Sequence, residues 1–219
     1  MKDIPIFTGT HGIATLILSQ IPWSGHGYVM VRSVWDDAKA FLDECLGFCR
    51  ACGAKEVYAS WETQQLPAPH GYDVLQMTMK KSDLPDGPDI ATEDLTQENS
   101  DAFLEIYNTC FLPIHNAASY GTKDIGRLLG EETAYLVKKD GSYAAIAEIS
   151  RQGLEAIAVL PQSKGLGFDL ARTVLRKVPS VDLTLKVAST NHRAIRLYER
   201  LGFQTTKILS QWWKLYQET

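Results

Sequence analysis

Between Leu154 and Lys177 the chain passes from an apolar strand (Leu154 to Val159) through a proline and two glycines spaced two apart into a long helix. No other stretch constrains the fold as tightly, because a strand that stops at Pro161 and re-forms as a helix at Gly165 fixes both elements side by side. The start of such a helix carries unpaired backbone N–H groups and a partial positive charge. Gly165 and Gly167 let a ligand come close to that backbone, and Lys164 adds a formal charge. Two readings follow: an anion cradle, or a tight strand–helix turn with no ligand. The loop lacks the Gly-Lys-Ser/Thr ending of a P-loop and does not fit the dinucleotide pattern GxGxxG.

A second segment decides between them. Asn191-His192-Arg193-Ala194-Ile195-Arg196-Leu197-Tyr198-Glu199-Arg200-Leu201-Gly202-Phe203 opens a helix on Asn, a good N-cap, and places Tyr198 two turns later near the same face. Together the segments resemble the GNAT superfamily of N-acetyltransferases. Its nucleotide signature, Gln/Arg-x-x-Gly-x-Gly/Ala, is met by Gln162, Gly165 and Gly167. Its companion pattern is met by Asn191, Ala194, Leu197, Tyr198, Leu201, Gly202 and Phe203. The resemblance covers about residues 90 to 219.

That resemblance implies an α/β (α+β) fold: a mixed, mostly antiparallel sheet with flanking helices. It also implies an acetyl-CoA-dependent N-acetyltransferase in which a primary amine of a small molecule or a protein attacks the thioester directly. Acetyl-CoA would lie where Leu154–Val159 and Val181–Val187 part. Backbone groups of Ile157, Ala158 and Val159 would bond its pantetheine arm. Gln162, Lys164, Gly165, Leu166, Gly167, Phe168, Asp169 and Leu170 would surround the pyrophosphate, and Asn191 would contact the arm. Tyr198 would stand near the sulfur as general acid. The amine needs a proton acceptor, for which Glu155 and Glu148 are the candidates. His115, in Phe111-Leu112-Pro113-Ile114-His115-Asn116, is a candidate substrate contact, whereas His192 reads as a surface helix residue. No metal is expected. The alternative is a non-catalytic CoA-binding, sensing or interaction module on the same scaffold. Lys164 departs from the family's frequent Arg, keeping charge but losing the bidentate fork.

The first half reads differently. Strands are expected at 13–20, 28–32, 56–60 and 74–80, with a helix from Trp35 to Cys52 and turn signals at 21–25. Cys45, Cys49 and Cys52 share one face of that helix. CxxC spacing near a helix end, with no fourth ligand in sight, favours buried packing over a metal or redox site. A weak echo of the later half (His26-Gly27-Tyr28 against Gln152-Gly153-Leu154) suggests two tandem GNAT-like halves. Yet the first has no glycine loop, and Asp36 and Asp37 at its helix start would repel a pyrophosphate. It is therefore expected to bind no acetyl-CoA. The linker candidate Ser82-Asp83-Leu84-Pro85-Asp86-Gly87-Pro88 puts the boundary at 87/88: a degenerate GNAT-like or accessory α/β domain at 1–87 and the GNAT domain at 88–219. In the second domain helices are expected at 96–108, 124–129, 165–177 and 191–201. Strands are expected at 134–138, 143–149, 154–159 and 181–187, with a terminal strand or two beyond Phe203.

Composition excludes the remaining classes. Hydrophobic residues make up 45% of the chain, too many for a disordered protein. No apolar run approaches the ~20 residues of a membrane span, and the start lacks a leader pattern, so a cytoplasmic protein without membrane partners is expected. The net charge of −4 gives no support for wholesale nucleic-acid binding, and no nucleic-acid partner is expected. It divides into −3 over residues 1–87, −7 over 88–160 and +6 over 161–219. The last block begins at the proposed pyrophosphate loop and includes Lys164, Arg193 and Arg196, so an acidic acceptor side joins a basic donor side. A monomer or homodimer is expected.

Overall fold

A computed structural model describes residues 1–62 and 64–218. In chain order the first elements are β1 (Ile4–Thr8), β2 (Gly12–Ile17), α1 (Ile21–Ser24), β3 (His26–Val34), α2 (Ala38–Ala51), β4 (Glu56–Trp61), β5 (His70–Lys80) and β6 (Glu93–Asp94). They are followed by α3 (Ser100–Phe111), α4 (Thr122–Glu131), β7 (Ala134–Lys139), β8 (Ser142–Ile149), β9 (Gly153–Val159), α5 (Leu166–Lys177), β10 (Asp182–Ala188), α6 (His192–Leu201) and β11 (Gln204–Gln217). No helix among the described residues is long and apolar enough to cross a membrane.

The chain forms two compact units, Met1–Val74 with Ile208–Thr219, and Leu75–Lys207. In the first, β1, β2 and β3 pair antiparallel, β3 and β4 pair parallel, and β11 pairs antiparallel with β4. The helix α2 covers one face through Phe41, Leu42, Cys45 and Cys49. Both cysteines are fully buried, and burial pushes their thiols up to about 12, the chemistry of packing and not of reaction.

In the second unit β6, β7, β8 and β9 pair antiparallel and β9 and β10 parallel, with β5 beyond β10. The β7–β8 turn has Asp140 and Gly141 both at positive φ, the tight hairpin its sequence called for. One face packs under α5 and α6, where Leu170, Val174, Leu175, Leu201 and Phe203 are almost wholly buried; the other packs under α3 and α4 through Phe103, Ile106 and Leu128. This is a mixed, largely antiparallel sheet with flanking helices.

The division does not fall at 87/88. It cuts through β5 and β11, so the C-terminal strand completes the first unit and residues 75–80 of β5 complete the second. The expected linker is fastened to the second unit. Arg172 Nη2 donates to the Pro88 carbonyl (2.6 Å), Arg176 Nη1 donates to the Gly87 carbonyl (2.9 Å), and Lys81 N–H donates to Val181 (2.8 Å). Strand sharing of this kind leaves no mark on local composition. β1 and β6 also escaped the sequence reading: Pro5 argues against a strand, and β6 is two residues long.

Candidate active site

The parallel pair β9–β10 holds together at only two positions, Thr184 with Gly153 and Leu185 with Leu154. Gly153 is required there, since a side chain would run into the Thr184 carbonyl. Immediately afterwards β9 changes register against β8: Leu154 faces Ile149 but Ala156 faces Glu148, so Glu155 is an extra residue in a bulge. A bulge bends its strand. From that point β9 follows β8 to Val159 and leaves β10. The two strands part, and among the described residues no strand lies beside one backbone edge of β9 from residue 156 onward.

The opening is a cleft of about 540 Å3. Its walls are Ile157, Ala158 and Val159 from β9; Gly165, Gly167 and Phe168 at the start of α5; and Asn191, Arg193, Ala194, Arg196, Leu197 and Arg200 from α6. Cys110, Phe111 and Ile114 come from the end of α3 and the turn after it. Gly165 caps α5 in the left-handed region (φ 105°), and among the described residues no side-chain cap bond is made at this helix start. An ideal Cβ at Gly165 would meet nothing within 4 Å, so the space before the helix start is open. Free donors, a helix dipole and open space are the features that suit an anion. Asn191 does cap its helix, its side chain accepting from Ala194 N–H (3.2 Å).

Of the remaining residues read from sequence, Lys164 and Gln162 are exposed beside the turn. Leu166 and Asp169 lie in the first turn of α5, with the Asp169 carboxylate held by Arg172 at 2.8 Å. Leu170 falls past that turn and is fully buried in the core. Tyr198 is not part of the cleft wall. It is 7% exposed, packs edge-on to Phe203 (6.2 Å between ring centroids), and burial raises its hydroxyl above the ordinary phenol range. Glu155 stands exposed at the bulge and makes no ion pair among the described residues. Glu148 is 3% exposed. Its carboxylate accepts from Tyr120 Oη (2.8 Å) and Arg127 Nη2 (3.1 Å), while desolvation raises its pKa. Tyr120 is fixed in turn by Asn108, which exchanges two hydrogen bonds with its backbone, and by stacking on Tyr107 at 3.7 Å. His115 Nδ1 shares a hydrogen bond with Thr190 Oγ1 (3.0 Å), joining the turn after α3 to the turn before α6.

Sequence reasoning missed Cys110 and Arg200 as wall residues, and from the segment 111–116 it singled out His115 where Phe111 and Ile114 line the cleft. Arg200 had a signal, since it follows Arg193 by seven and Arg196 by four, on the same helix face. Cys110 had none. Among the described residues no group of three or more His, Cys, Asp or Glu side chains comes together to hold a metal ion.

The sequence profile of the acetyltransferase (GNAT) family matches residues 93–203, just over half of the chain. The chain belongs to the GNAT family. Its match covers α3 to Phe203, the elements that build the cleft, and membership in a family of acetyltransferases supports acyl transfer in general terms. No curated protein matches this GNAT sequence. Among solved structures, a GCN5-related N-acetyltransferase from Sphaerobacter thermophilus matches with a TM-score of 0.59 at 12% identity, over 94% of this chain and 78% of the other. A functionally unknown conserved protein from Staphylococcus epidermidis matches with a TM-score of 0.57 at 12% identity, over 97% and 93%. A tandem GNAT protein from the clavulanic acid biosynthesis pathway matches with a TM-score of 0.53 at 13% identity, over 93% and 78%. Similarities at that identity establish the fold.

Proposed function

We propose that the cleft binds acetyl-CoA and that the protein is an N-acetyltransferase acting on a primary amine of a small molecule or a protein. The observation that carries this reading is the parting of β9 and β10 directly in front of an uncapped helix start. The free edge of β9 at Ile157–Val159 can accept an extended amide-bearing arm as an added strand would, which suits pantetheine. The N–H groups at the start of α5 suit the pyrophosphate, with Lys164 beside them. Asn191, whose side-chain oxygen is used in capping, keeps its amide N–H groups for the arm.

In the proposed reaction the amine nitrogen bonds to the thioester carbonyl carbon and the carbon–sulfur bond breaks. The amine gives up a proton, and the departing thiolate takes one. Glu155 suits the first role better than Glu148: it is exposed next to the free strand edge, whereas both Glu148 oxygens are engaged. Glu148 then anchors Tyr120 and Arg127. Tyr198 is the candidate proton donor, and burial keeps its hydroxyl protonated.

One observation favours the second reading, a CoA-binding module without turnover: Tyr198 packs in the core cluster behind the cleft wall. Release of free CoA across a panel of amines separates the two readings. Under the catalytic reading Tyr198→Phe and Glu155→Gln lower kcat by roughly 10²-fold or more with little change in acetyl-CoA affinity. Tight acetyl-CoA binding with no thiol released from any amine would leave only the module.

A further inference from the structure

We propose that Arg193, Arg196 and Arg200 form a phosphate-reading row that makes the cleft select free CoA thioesters through their 3′-phosphate, over the same acyl-pantetheine arm lacking it. This rests on the acetyl-CoA reading above and specifies the form of the donor. All three side chains are exposed, all three line the cleft, and their spacing sets them along one face of α6. None forms an ion pair among the described residues, although Glu199 is on the same helix. Like charges one turn apart destabilise a helix when nothing neutralises them, so an unpaired row along a cleft wall calls for an anionic occupant.

Its level in the cleft is also defined. Leu197, between Arg196 and Arg200, stands against Gly167: a Cβ built at Gly167 lies 3.7 Å from the Leu197 side chain. The row therefore stands across from the start of α5, where the pyrophosphate is proposed, and offers a second set of donors to a ligand with another phosphate nearby. Arg200 lies over Phe168, its Cζ 4.8 Å from the ring centroid, a cation–π contact that steadies one guanidinium. Planar guanidinium groups bind phosphate oxygens in pairs and also stack on aromatic bases, and an adenosine 3′-phosphate offers both. An acyl group on the phosphopantetheine of a carrier protein presents neither at this point.

The test is isothermal titration of the full chain with acetyl-CoA, acetyl-3′-dephospho-CoA and S-acetyl-phosphopantetheine. Charge-assisted contacts of this type predict that loss of the 3′-phosphate weakens binding by about 10- to 100-fold. In Arg193→Gln/Arg196→Gln/Arg200→Gln, checked for folding by its melting curve, that ratio should fall toward one, chiefly through loss of acetyl-CoA affinity. Equal affinity of the wild type for acetyl-CoA and its dephospho form would overturn the inference and leave the donor reading standing. So would a folded triple variant that keeps the ratio. No binding of any of the three by folded wild type would overturn both.

Discussion

Each unit contains one parallel strand pair joined through a helix, and the two pairs are built in opposite ways. In the first unit β3 and β4 stay in register over six positions, from His26 with Glu56 to Val31 with Trp61. In the second, β9 and β10 hold at two and then part. The helices between them differ in the same sense. The start of α2 is capped by Asp37, whose side chain accepts from Lys39 and Ala40 N–H, whereas the start of α5 has Gly165 and no cap. These backbone bonds hold the Asp37 carboxyl below its ordinary range. Thus one scaffold yields a continuous ladder with a self-satisfied helix, and a cleft with an unsatisfied one. A bulge residue, Glu155, and the change from Asp to Gly at the helix cap account for the difference.

The contrast can be broken at several points, and the largest effect is expected at the helix cap. Gly165→Glu forces a side chain into a left-handed conformation and puts a carboxylate where the donor's phosphates are proposed to sit; acetyl-CoA affinity should fall by at least about 100-fold in a protein that still melts cooperatively. Gly153→Val attacks the short stretch that keeps β9 and β10 paired. Its side chain meets the Thr184 carbonyl, and urea unfolding should show a loss of about 1–3 kcal/mol.

The anchoring role of Glu148 has a pH signature. Desolvation raises its folded pKa above the unfolded value near 4.5, so the folded state holds this proton more tightly. The resulting stability is fully present below the unfolded pKa and is lost as pH rises through the folded one. Glu148→Gln removes that dependence. The variant's melting temperature relative to wild type should therefore climb between pH 4.5 and pH 7; a flat difference would refute it. The smallest effect is expected in the first unit. Asp36→Asn/Asp37→Ser removes both charges at the start of α2 but leaves the β3–β4 ladder intact. Titration should show no additional acetyl-CoA site, and a new one would mean that charge alone kept the donor out.

Much of the second unit was legible because its information is local. The strand–glycine–helix passage, the Asn191 cap, the Gly202 stop and the buried faces of α3 and α5 follow from residue types at short spacing. The three cysteines of α2 were legible too, as a helical stripe. What escaped depends on distant partners. Nothing around Glu155 announces a bulge, because the bulge exists only relative to β8. Nothing in the linker shows that β11 completes the first unit while Arg172 and Arg176 fasten Gly87 and Pro88 to α5. Cys110 became a wall residue only once the end of α3 was brought against Val159, whose carbonyl lies 3.8 Å from the Cys110 thiol.

The parted strands, and not their continuous counterpart, are the proposed donor site. The stoichiometry of acetyl-CoA binding to the full chain by isothermal titration, run beside Gly165→Glu, tests this directly. One equivalent should bind per chain and none in the variant. Two equivalents, no binding by folded wild type, or an undiminished equivalent in Gly165→Glu would contradict it.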